Sequence, residues 1–89
     1  MKHKILGKMW GLRFVSNLLD WGDCDAPTKK NKEMRISYAA KERKRLEILI
    51  HEMLHAAGWH IDEEFITEFA EDCSRVLWKL GYRAPEDND

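Results

Sequence analysis

The 89-residue chain is poor in the residues that staple or interrupt a fold. It has two cysteines, Cys24 and Cys73, so at most one disulfide could form, which argues against a disulfide-built secreted scaffold. Two prolines and 5 glycines leave it without a linker or low-complexity segment, and it contains no internal repeat. No apolar run approaches the length that spans a bilayer, and the start, MKHKILGKMWGLRF, has neither the hydrophobic core nor the cleavage site of a secretory signal. These absences lead us to expect a cytoplasmic protein of a reducing compartment, not secreted and with no membrane partner.

What is present suits a folding chain: 44% of residues are hydrophobic and 35% charged. At this length a second domain would leave neither part enough buried surface, so one domain over 1–83 is expected, with the tail 84–89, APEDND, frayed. A core this small is marginal, and a bound metal would stabilise it. The net charge of −1 conceals a polarity: residues 28–47 carry eight Lys or Arg against three Glu, and residues 61–89 carry nine acids against three bases. Solvated faces that pair with each other are the plain explanation.

Trp10, Leu12 and Phe14 alternate with Gly11, Arg13 and Val15, the period of a half-buried strand. Ile5 and Leu6 begin a partner strand, with Gly7 or Gly11 at a turn or bulge. WGDCDAPTKKNKE reads as a long polar loop, and Met34, Ile36 and Tyr38 alternate again in a further strand. From 41 to 57, Leu46, Leu49, Ile50, Met53, Leu54 and Ala57 recur at helical spacing, and Gly58 is the expected stop. Asp62 suits the N-cap of a second helix over 62–80, whose apolar stripe holds Phe65, Ile66, Phe69, Ala70, Cys73, Val76, Leu77 and Leu80. The expected fold class is α+β: a small antiparallel or mixed sheet of two or three strands packed on two helices.

One segment of the first helix states a chemistry. In LEILIHEMLHAAG, His51 and His55 stand one turn apart on one face, where two imidazoles can grip one Zn²⁺ ion, and Glu52 can reach water beside it. A catalytic zinc usually takes three protein ligands. In the longer pattern HExxHxxGxxH the third would fall at 61, where this chain has Ile61, and His60 misses by one. On the second helix, Glu64 points away from the apolar stripe, Glu63 lies on its flank, and Asp62 is needed as the cap. Glu63 therefore ranks first as third ligand and His60 second, with Asp62 and Glu64 behind them.

HEMLHAAGWHIDEEFITEFAEDCSRVLWKLGYR, together with the preceding MRISY, resembles the small zincin-like metallopeptidases of bacteriophage and prophage sequences. More distantly it resembles minimal gluzincins and the ImmA/IrrE and SprT-like groups. The likeness covers most of the chain and rests on HExxHA, a carboxylate eight residues after the second histidine, and the closing LWxLGYR. It implies a minimal zincin with one Zn²⁺ per chain on His51, His55 and Glu63, Glu52 as catalytic base, and the host-cell cytoplasm if the chain is phage-encoded. It also implies that the strand Met34 to Tyr38 lines the cleft and pairs with an extended peptide. Unlike larger zincins, the chain has no N-terminal helix and no substantial C-terminal subdomain.

The expected activity is hydrolysis of a peptide or protein substrate at a zinc-activated water. Ile36, Tyr38, Trp59 and Tyr82 are candidates for substrate contact, and Tyr38, Tyr82, Arg83 or His60 for an oxyanion donor. Cys24 could approach the open metal position as a thiolate. The competing reading is a zinc-stabilised accessory module with little or no proteolysis, binding protein or nucleic acid, in which the basic residues of KKNKEMR and KERKR contact phosphates.

Overall fold

The computed structural model describes residues 1–83, so the tail expected at 84–89 lies outside the described residues. Its elements run β1 (Lys2–Ile5), β2 (Lys8–Val15), β3 (Gly22–Cys24), β4 (Glu33–Ser37), α1 (Glu42–Ala57) and α2 (Glu63–Lys79). The fold is α+β, with a four-stranded mixed sheet in the order β1-β2-β4-β3 and two helices. β1 and β2 form an antiparallel hairpin through Leu6 and Gly7, whose φ values of 48° and 83° give the two-residue turn that matches strand twist. β2 and β4 are parallel, and β3 closes the other side antiparallel to β4.

Two expectations change here. The segment read as a loop supplies β3, so the sheet has four strands rather than two or three; Gly22 and Asp23 are poor strand formers, and the segment pairs because β4 offers it a free edge. As a result β4 is not an edge strand. It lies between β2 and β3 with both sides paired, and the free edge beside it belongs to β3.

Side-chain alternation gives the sheet two unlike faces. Trp10, Leu12, Phe14, Met34 and Ile36 turn to the core, where Trp10 and Met34 pack with Ala56, and Ile36 with Ala40 and Ile48. The opposite face carries a ladder of charge. Arg35 donates to Asp23 at 2.6 Å, to Asp25 at 2.6 Å and to Glu33 at 3.1 Å, and Arg13 reaches Glu33 at 2.9 Å. Asp25 also accepts from the Glu33 N–H at 2.9 Å, which ties the end of β3 to the start of β4.

The helices stack as further layers. α1 packs on the sheet, and α2 packs on α1 alone, touching no strand. The face α1 turns to the sheet comprises Arg45, Ile48, Glu52 and Ala56, not the all-apolar stripe that periodicity suggests. Of that stripe Leu46 is buried, while Met53 and Ala57 are exposed. α2 likewise buries only Ile66, Ala70 and Ser74, with Cys73 and Leu77 half-buried, and leaves Phe65, Phe69, Val76 and Leu80 exposed. A helix that touches one neighbour can bury only one narrow strip. Asp62 caps α2, its carboxylate accepting from the Phe65 N–H at 3.2 Å.

Arg35 holds three carboxylates together, so Arg35→Met should leave them facing one another and destabilise the chain by about 3 kcal/mol in chemical denaturation at neutral pH. Its guanidinium pulls the Asp25 carboxyl down from 3.8 to about 2, so this contribution is present above pH 3.8 and is lost as the pH falls through 2. The gap between wild type and variant should therefore close on acidification.

Candidate metal centre

A helix rotates about 100° per residue, so His51 and Glu52 cannot share a direction, while His51 and His55 nearly do. On α1 this sends the two histidines toward α2 and Glu52 toward β3. The Nε2 atoms of His51 and His55 stand 3.2 Å apart. Glu63, the first residue of α2, is placed by the turn that Asp62 caps, and its carboxylate spans both rings, 2.9 Å from His51 Nε2 and 2.8 Å from His55 Nε2.

Three donor atoms thus converge from two helices, and among the described residues this is the group of His, Cys, Asp and Glu that could hold a metal ion. The spacing fits a small cation: ligands at about 2.0 Å in a tetrahedron lie roughly 3.3 Å from one another. The chemistry fits as well, with two imidazoles and a carboxylate. Burial pushes His55 below its ordinary pKa against the raising influence of Glu63, the direction that favours the neutral imidazole a metal ion requires.

The cluster opens into a cleft of about 790 Å³ between α1, β3 and the loop before β3. Glu52 lies in its floor with only 4% of its surface exposed. Burial, then Asp23, Glu63 and Asp20, push its carboxyl from 4.5 up to about 8. Such close packing needs Gly22: a Cβ there would come within 2.7 Å of Ile48 Cγ2 and 3.0 Å of Glu52 Oε2. Leu18, Leu19, Trp21 and Trp59 form apolar walls, and Trp59 meets the His55 ring edge-on with centroids 6.2 Å apart.

The structure brings together His51, Glu52, His55, Glu63 and Trp59. It leaves the other candidates elsewhere. His60 and Ile61 lie beyond the end of α1 on a separate depression with Ile5, Leu6 and Pro27. Glu64 is exposed and Asp62 is occupied as the cap. Of the residues expected to contact substrate, three lie away from the cleft: Ile36 is 0% exposed in the core, Tyr38 stacks on Phe14 at 6.1 Å, and Tyr82 sits beyond the end of α2. Arg83 lies over the Trp78 ring instead. Cys24 does line the cleft, but burial, Glu52 and Asp25 push its thiol up to about 12, and Sγ donates to the Asp25 carbonyl, so the thiolate suggested from sequence is disfavoured.

Sequence reasoning did not single out Asp20, Gly22 or Asp23. A signal existed in Asp23-Cys24-Asp25, which alternates acid, thiol, acid with the period of a strand, but its turn-forming composition concealed it. Comparison of the chain with protein-family models, with curated proteins and with solved structures found no match.

A carboxyl whose folded pKa is raised contributes stability that is complete below pH 4.5 and lost as the pH rises through 8. Metal-free wild type should therefore lose stability relative to Glu52→Gln over that window in chelator-containing denaturation experiments; parallel curves would mean that Glu52 is not buried as described. Gly22→Val should displace β3 from α1 and lower the melting temperature by several degrees, on the order of 2 kcal/mol.

Proposed function

We propose that the chain is a zinc-dependent metallopeptidase of the HExxH type, in which His51, His55 and Glu63 hold one zinc ion and Glu52 is the general base. The observation that carries this reading is the convergence of three donor atoms at 2.8–3.2 Å in a cleft whose floor is a buried carboxylate. Two helix histidines with a packing role alone would not require an acid to span both rings.

When bound, zinc supplies a Lewis acid that lowers the pKa of water from about 15.7 toward 7, polarises a carbonyl and offsets the local excess of carboxylates. The chain supplies the proton transfer. Glu52 is held away from bulk solvent on the β3 side of the histidines, with a pKa pushed toward neutrality. A base so tuned can take the proton of an attacking water and return it to the leaving amine as the C–N bond breaks. Asp23 and Asp20 reinforce that tuning by their negative charge.

Substrate positioning follows from the sheet. The free edge beside the cleft is β3, so an extended peptide would add alongside Gly22–Cys24, with side chains directed to the Leu18, Trp21 and Trp59 walls. This replaces the assignment of that role to Met34–Tyr38. The nucleic-acid reading finds less support, because bases it relies on already face carboxylates of the same chain: Lys29 faces Asp25, Arg35 faces Asp23 and Asp25, and Arg43 and Lys44 face Glu47.

Purified protein should carry one zinc per chain by elemental analysis, and its loss to a chelator should lower the melting temperature. Glu52→Gln should retain the metal while cleavage of a quenched-fluorescent peptide library falls about 10²–10⁴-fold. Glu63→Ala should weaken zinc binding at least about 100-fold, and His60→Ala should leave it unchanged. Protein that binds no transition metal, or a Glu52→Gln variant as active as wild type, would refute the proposal.

A further inference from the structure

α2 has a second apolar face that the other described residues do not cover. Phe65, Phe69, Val76 and Leu80 are 55, 48, 58 and 69% exposed and form one row about 100° round the helix from the strip Ile66, Ala70 and Ser74 that packs on α1. The first two rings stack in parallel with centroids 6.0 Å apart, so the row presents a continuous apolar surface.

The charge along the same helix is segregated. Residues 63–72 hold Glu63, Glu64, Glu68, Glu71 and Asp72 and no base, while residues 74–83 hold Arg75, Lys79 and Arg83 and no acid. The helix dipole favours such a bias in the first and last turns, and Arg75 pairs with Glu71 and Asp72 within the helix, but neither accounts for Glu68. A helix of this pattern becomes its own electrostatic complement when reversed.

We propose that the exposed row of α2 docks on the same row of a second copy of this chain, the two helices running antiparallel about a twofold axis near Cys73. In that register Phe65 faces Leu80 of the second copy and Phe69 faces Val76. On the flank of the row Glu68 lies beside Lys79 of the second copy. Glu68 and Lys79 have no ion-pair partner among the described residues, so both are available. The contact is isologous, as a twofold interface requires, and the charge pair occurs twice. Glu63 turns to His51 and His55 on another side of the helix, so the inference does not depend on the metal site.

Sedimentation of the full chain over about 1 μM to 1 mM should show the mass rising from 10.5 kDa toward twice that value. Glu68→Lys and Lys79→Glu, both on the exposed surface, should each weaken association about tenfold by setting like charges opposite one another. Combining the two exchanges should restore it to within about threefold of wild type, an outcome peculiar to antiparallel pairing. Phe69→Ser should abolish association while circular dichroism stays unchanged, and a short bismaleimide should link the two Cys73 thiols in wild type but not in Phe69→Ser. A chain that stays monomeric to 1 mM, its α2 face left for some other molecule, overturns the proposal. So does a dimer indifferent to the single charge reversals, or one that the double exchange fails to restore.

Discussion

The position of α1 between two different neighbours organises everything else. The sheet lies against one side of it and α2 against another, and the helical repeat distributes adjacent residues between them. His51 and His55 therefore meet Glu63 on α2, while Glu52, one residue on, is pressed against Gly22 of β3. Two candidate metal ligands and a buried carboxyl arise within five consecutive residues, with Glu63 added from α2, because the layers on either side of the helix differ. If α2 were packed on the sheet beside α1, the histidines would have no carboxylate from Glu63.

That arrangement concentrates negative charge. Glu52, Glu63, Asp20 and Asp23 all face or border one cleft, and their mutual repulsion adds to burial in raising the Glu52 pKa. Arg35 is the compensating group on the far side of β3: it grips Asp23, Asp25 and Glu33 and so binds β3 to β4. The ladder on the solvent face of the sheet and the acidity of the cleft are parts of one electrostatic arrangement, since Asp23 belongs to both. A divalent cation at the histidines would offset the remaining charge, which links the candidate chemistry to the stability of the fold.

Small size explains the exposed apolar surface. Three stacked layers built from so few residues give the outermost helix only one neighbour, and α2 turns Phe65, Phe69, Val76 and Leu80 outward. The narrow core of Trp10, Met34, Ile36 and Ile66 is what the described residues bury most completely among their large apolar side chains. Such a fold benefits from outside help, and a bound metal or a second copy would each supply it.

Local pattern in the sequence was enough to place His51 and His55 on one helix face with Glu52 to one side, to alternate Trp10, Leu12 and Phe14 into a core, and to set Asp62 at the head of α2. These follow from repeats of 3.6 and 2 residues and from cap chemistry, which neighbouring residues settle among themselves. Pattern left the third donor open among Glu63, His60, Asp62 and Glu64, because the direction of the chain after Gly58 depends on how α2 seats against α1. It could not show that a Gly- and Asp-containing segment becomes β3, since the reason is a free edge on β4 and the reach of Arg35. Nor could it tell which half of an apolar stripe is covered. Periodicity defines a face, and only the tertiary contacts decide what lies against it.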